Sequence, residues 1–136
     1  MTWDNVLKWA LLELAAASGL SGVKIRRAFG ELPSATGVYV ELPVQRRGQQ
    51  WADVVELRLH VYSTQGEEHC SQLLGAAHAA LLAYAGQPKT WNAPPEDSGV
   101  RIRSVVLGDA SLPERDGEHT SGYAAMLPVT VRASLV

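Results

Sequence analysis

The chain is poor in cysteine, in aromatic rings and in charge. Its single cysteine, Cys70, cannot close an internal disulfide, which excludes a disulfide-stapled scaffold and makes a reducing compartment the expectation. Charged residues make up 19% and aromatics 7% of the 136 residues, against 46% apolar, a composition far from the signature of disorder. A strongly basic balance is missing too. The formal net charge of −2 gives no global footprint for nucleic acid, so any DNA contact has to be local. No run approaches the roughly 20 apolar residues that span a bilayer. The opening MTWDNVLKWALLELAAASGL is interrupted by Asp4, Lys8 and Glu13 and has no basic leader, so neither a signal peptide nor a membrane anchor is expected.

Motifs that carry chemistry are equally scarce. There is no GxSxG elbow, P-loop, Gly-rich strand-to-helix turn, CxxC or HExxH. His69, Cys70 and His78 fall in one predicted helix. Adjacent residues there point about 100° apart and positions 70 and 78 are two turns apart, so the spacing assembles neither a Cys/His nucleophile nor a metal site. The carboxylates Asp109, Glu114, Asp116 and Glu118 do not follow the calcium-loop pattern. No catalytic, cofactor or metal residue is assigned, and function is sought in surfaces and assembly.

What is present is periodicity, and the length suits one domain over residues 1–136. Trp3, Leu7, Ala10, Leu11 and Leu14 recur at helical spacing, with Thr2 or Asp4 as caps and Gly19 and Gly22 as stops. Trp3 and Trp9 do not share that face, which leaves one of them for a neighbouring subunit. VKIRRAF suggests a brief strand. Val38, Val40 and Leu42 alternate with polar residues, as do Val55, Leu57, Leu59 and Val61, and QRRGQQ between them reads as the polar turn of an antiparallel hairpin. From Thr64 to Ala85 the period changes: Leu73, Leu74, Ala77, Ala80, Leu81 and Tyr84 mark a second helix, with Thr64 and Glu67 as a capping box and a thin Ala/Gly-rich surface. That helix is expected across the hairpin. KTWNAPPEDSG is a connector without periodicity. Val100, Ile102, Val105 and Leu107 form a strand whose broken alternation predicts a bulge. Residues 108–121 are a polar, acidic loop, and GYAAMLPVTVRASLV is a closing strand whose Pro128 favours an edge or a bulge. These elements make an α+β domain.

Two groups of side chains stand out as contact candidates. Arg46 and Arg47 at the hairpin tip, beside Trp51, and Arg101 and Arg103 on a later strand are basic; Asp109, Glu114, Asp116 and Glu118 make the long loop acidic despite Arg115. Aromatics beside arginines are enriched at protein interfaces. Solvated turns and loops are the plain alternative.

The whole-chain arrangement resembles the tail-terminator or tail-completion proteins of long-tailed bacteriophages and gene transfer agents. The residues that carry this likeness are the N-terminal helix, a loop reaching GVYVELP, VVELRLHVYS running directly into EEHCSQLLGAAHAALLAYAG, then VRIRSVVLGDA, a polar loop with Asp116–Gly117, and YAAMLPVTVRAS. The resemblance implies two helices packed on one face of a mixed, mainly antiparallel sheet. It further implies a homo-oligomeric ring, commonly of six subunits, in a virion. Such a ring caps the major tail tube protein, stops its polymerisation, meets a head-completion or connector protein, and passes DNA without reading its sequence. It needs no catalytic residue or cofactor. A head-closure or minor tail protein of the same kind of particle is the alternative. A third reading is a small-ligand-binding domain or enzyme with a pocket between the second helix and the sheet, near His60, Tyr62 and Cys70.

Overall fold

The computed structural model describes residues 2–28, 35–49, 52–85, 89–91, 100–115 and 122–135. Helix α1 (Thr2–Ala16) has no glycine or proline to interrupt it and buries Val6, Leu7, Trp9, Ala10 and Leu14. The buried stripe is therefore rotated from the expected one, and it includes Trp9. That ring is fully buried within the chain, not offered to a neighbour, and meets Tyr84 edge-on, with centroids 5.0 Å apart at 83°. Such a pair adds about 0.5–1.5 kcal/mol beyond burial itself. A 3₁₀ turn, Ser18–Leu20, follows the helix.

The strands are β1 (Ile25–Arg27), β2 (Gly37–Gln49), β3 (Ala52–Ser63), β4 (Lys89–Trp91), β5 (Val100–Leu107), β6 (Glu114–Arg115) and β7 (Tyr123–Leu135), with helix α2 (Glu67–Leu82) between β3 and β4. They form one sheet in the order β1-β2-β3-β7-β5-β4, with β6 also on β7. Among the described residues only β1 and β2 pair in parallel, and every other pairing is antiparallel. Alternate residues Val55, Leu57, Leu59 and Val61 of β3 and Ala125, Leu127, Val129, Val131 and Ala133 of β7 are buried in one core cluster with residues of both helices. Both helices thus cover the same face of a mixed, mainly antiparallel sheet, and the chain is an α+β fold.

Helix α2 buries Cys70, Leu73, Ala77 and Leu81, one turn apart along a single stripe. Its small residues let neighbours in closely: a Cβ at Gly19 of the 3₁₀ turn would stand 2.9 Å from the Ala76 Cβ. The expected capping box is not formed. Gly66 occupies the N-cap, at φ 116, a value that suits only glycine. Thr64 instead pairs with Thr36, through a hydroxyl contact of 3.1 Å and a backbone N–H donated to Thr36 Oγ1 at 3.0 Å. The helix lies mainly over β7 and β3, so it covers one strand of the expected hairpin, β3, and the closing strand beside it more than β2. The burial stripe explains this, because the largest apolar rows of the sheet are those of its two central strands.

Three further expectations are corrected. The connector after α2 contains β4, which pairs with β5 over Lys89↔Ile102 to Trp91↔Val100. The polar loop after β5 lies along β7 for part of its length: Ser111 N–H donates to Met126 O at 2.9 Å, and Glu114 pairs with Ala124. Strand β7, finally, is central despite Pro128. Pro128 sits opposite Arg58 of β3, while its carbonyl accepts the Gly108 N–H at 2.8 Å on the other side. In an antiparallel ladder a residue's N–H and C=O face the same neighbour. The missing proline N–H therefore falls where β5 has just ended at Leu107, and costs the β3–β7 ladder nothing. Close approach makes Gly108 obligatory there, since a Cβ would stand 2.7 Å from the Pro128 ring.

Candidate interaction surface

The face of the sheet opposite the helices carries the alternate residues of each strand, and the register gathers side chains distant in sequence. Arg46 pairs with Val54, Val54 with Arg132 and Arg132 with Ser104, while Arg101 pairs with Ser134. Arg46 and Arg47 thereby share one end of the sheet with Arg101 and Arg103. For the first two only the backbone is described, and Trp51 lies outside the described residues. Neither arginine is in a turn. Strand β2 runs on to Gln49, with register shifts between Glu41 and Val44 and between Arg47 and Gln49. These bulges absorb Pro43 and also Gly48, the residue that suggested a turn. Arg101, Arg103 and Arg132 are exposed, and Arg103 Nε donates to the buried Ser134 Oγ at 3.1 Å, which holds its stem along the sheet. Arg132 was not singled out from the sequence, although its place after Thr130 in the alternation of β7 marks it as polar-facing.

Further along the same face, Glu41 receives His60 Nε2 at 2.9 Å and lies 3.9 Å from Arg58 Nη1. Both partners are its cross-strand neighbours, since Glu41 pairs with Arg58 and Tyr39 with His60. Burial pushes the Tyr39 hydroxyl above its ordinary pKa, and Arg26, its partner on β1, offsets part of that rise. Tyr39 donates to Ala35 O at 2.8 Å. Among the described side chains this face holds five arginines (26, 58, 101, 103, 132) against three glutamates (41, 56, 114), a net +2 on a chain of formal charge −2. Val106, on the same face, is 60% exposed.

The other end of the sheet is acidic. Glu67 and Glu68, in the first turn of α2, line an open cleft of about 510 Å³ with Ser71, Leu112 and Pro113. Leu112 is 81% exposed, and Glu114 follows it on β6. The two glutamates also complement the helix dipole. They were not among the expected contact residues. Asp109 is exposed near the middle of this edge, and Asp116 and Glu118 lie outside the described residues.

Two groups that suggest chemistry are built into the fold instead. Ser63 is buried, accepts the Gln65 N–H at 3.0 Å and sits 2.6 Å from His69 Nδ1, a bond set that closes the turn from β3 into α2. Cys70 is buried under α2 with its thiol 3.8 Å from Val61 O, and burial pushes that thiol above its ordinary pKa, the condition of an inert structural cysteine. His60 and Tyr62 belong to the opposite face of β3, so the sheet stands between them and Cys70 and the three do not line one pocket. Among the described residues no group of His, Cys, Asp and Glu is placed to hold a metal ion, and no helix is long and apolar enough to cross a membrane. Compared with known proteins, the chain matches no family profile and no curated sequence.

Proposed function

We propose that this protein is a structural subunit of a long-tailed phage or gene-transfer-agent particle. In this reading it forms a ring, commonly of six copies, at the head–tail junction, where it caps the last ring of tube subunits, stops their polymerisation and joins them to the head connector. The observation that carries the proposal is the one-sided architecture. Both helices lie on one face of the sheet, and the other face is left as a broad polar surface with a net +2 among its described side chains. A subunit with a partner on each side needs such a free face, and the order of elements along the chain is that of the tail-terminator resemblance. The work is mechanical: contacts between copies, to the tube and to the connector, around a passage for DNA, need complementary surfaces and no bond-making group.

Native mass spectrometry and negative-stain imaging of the purified protein test this, together with addition to an extract that holds unfinished tails. Rings and restored head–tail joining are expected. A strict monomer that also fails to join tails overturns the proposal. Its position in a particle map separates it from a head-closure or minor tail protein, because a terminator touches the last tube ring.

A further inference from the structure

We infer that successive copies of this chain associate head to tail, the basic end of the open sheet face in one copy receiving the acidic Leu112 corner of the next. The inference rests on the ring reading and names the surfaces that would build the ring.

The sheet is electrically polarised along its central strands. At one end Arg101, Arg103 and Arg132 project from the open face around Glu56, beside the exposed Val106. Eight residues back along β7, roughly 26 Å at 3.3 Å per residue, Ala124 pairs with Glu114, and there the first turn of α2 brings Glu67 and Glu68 against Leu112. The basic region therefore carries three arginines and an exposed valine. The acidic corner carries Glu67 and Glu68 beside a leucine that is four-fifths exposed, with Glu114 close in sequence but turned to the open face, like its partner Ala124. Each region pairs an apolar centre with charged surroundings, and the charges are opposite, which is the complementarity that steers and registers protein contacts. The polarity is not uniform, since Arg115 follows Glu114 on β6, and Arg26 and Arg27 on the outer strand β1, with Lys24 just before it, lie at the acidic end, away from β6 across the sheet.

Pairing the basic end of one copy with the acidic corner of the next, head to tail, is a heterologous contact. A heterologous contact repeats from copy to copy until a rotation closes it into a ring. A two-fold dimer would make the same two contacts reciprocally, and the mass of the wild-type assembly, two copies or more, separates it from the head-to-tail form. The second copy is thus the occupant that the charges favour.

Charge reversal on each side separates the possibilities. One variant carries Arg101→Glu, Arg103→Glu and Arg132→Glu; the other carries Glu67→Arg, Glu68→Arg and Glu114→Arg. Sedimentation velocity at low and high salt is expected to show wild-type self-association that weakens with salt. In each variant alone, association should weaken on the order of tenfold or more. An equimolar mixture should recover it, since the swapped surfaces are again complementary and the copies can alternate. Leu112→Ser provides a second variant that leaves the fold intact, and it is expected to weaken association without altering its salt dependence.

Wild-type association unchanged in both reversal variants and in Leu112→Ser overturns the contact while leaving a ring built on other surfaces. Salt-sensitive binding of the arginine surface to duplex DNA, with no self-association at any concentration, overturns it in favour of a polyanion. Association as described by a protein that never joins tails sustains the contact and overturns the head–tail reading.

Discussion

A methyl group added at Gly122 would overlap the Tyr62 hydroxyl and ring, because the buried Tyr62 lies directly over this glycine on the open face. Gly122→Ala should therefore lower stability by about 1–3 kcal/mol, read from the midpoint of urea unfolding. In a Tyr62→Ala background the same change should cost little, a non-additivity that marks direct contact. Tyr84 offers a test in pH. Burial, and next its hydrogen bond to Glu13 at 2.6 Å, raise its pKa above the ordinary value of 10.0. A raised pKa means the folded state holds the proton more tightly, so the stabilisation is complete below about pH 10 and is lost as pH rises through the folded value. Tyr84→Phe should flatten that alkaline loss without abolishing it, because Tyr39 is raised in the same direction. Cys70 should resist iodoacetamide at pH 8 in the native protein and react fully in urea; rapid native labelling would show that the helix–sheet interface is open. That Cys70 and Trp9 belong to the core was not legible in the sequence. Helical spacing admits several stripes, and only the position of the sheet decides which one is covered.

Between elements, adjacent residues of α2 give a sharp contrast. Leu81 is fully buried and Leu82 is 49% exposed, so Leu81→Ala should cost about 2–5 kcal/mol while Leu82→Ala stays within about 0.5 kcal/mol, both measured by chemical denaturation. Strands β3, β5 and β7 were readable because one wet and one dry face impose strict alternation, and the break in β5 does mark a shift between Ile102 and Ser104. The far half of β2 was not readable. Pro43 and Gly48 are turn formers in general, yet bulges let them sit within a long hairpin. Pro128 misled for a related reason: a proline is excluded from a central strand only if its N–H faces a paired neighbour, and local sequence does not say which way it faces. The same limit governs β4 and β6, strands of three and two residues too short to show a period.

For the molecule as a whole, the charged candidates could be found one by one in the sequence, but their grouping could not. Arg46 and Arg47 are brought to the same end of the sheet as Arg101 and Arg103 only through the registers of β2 with β3, β3 with β7 and β7 with β5, and no local pattern encodes a register between distant strands. The acidic side likewise needs α2 and the segment after β5 to converge. The central place of β7 has a consequence for synthesis. A ribosome delivers both helices and all the other described strands before it delivers β7. Until then β3 has one bare edge, β5 has only the short β4 beside it, and α2 lacks the strand it packs on most. A nascent or prematurely stopped chain is therefore a loose set of parts with open edges, exposed to chaperones and proteases. Only a chain translated through β7 has a sheet on which the basic and acidic ends exist together, so the fold itself inspects each copy for length before that copy can join another.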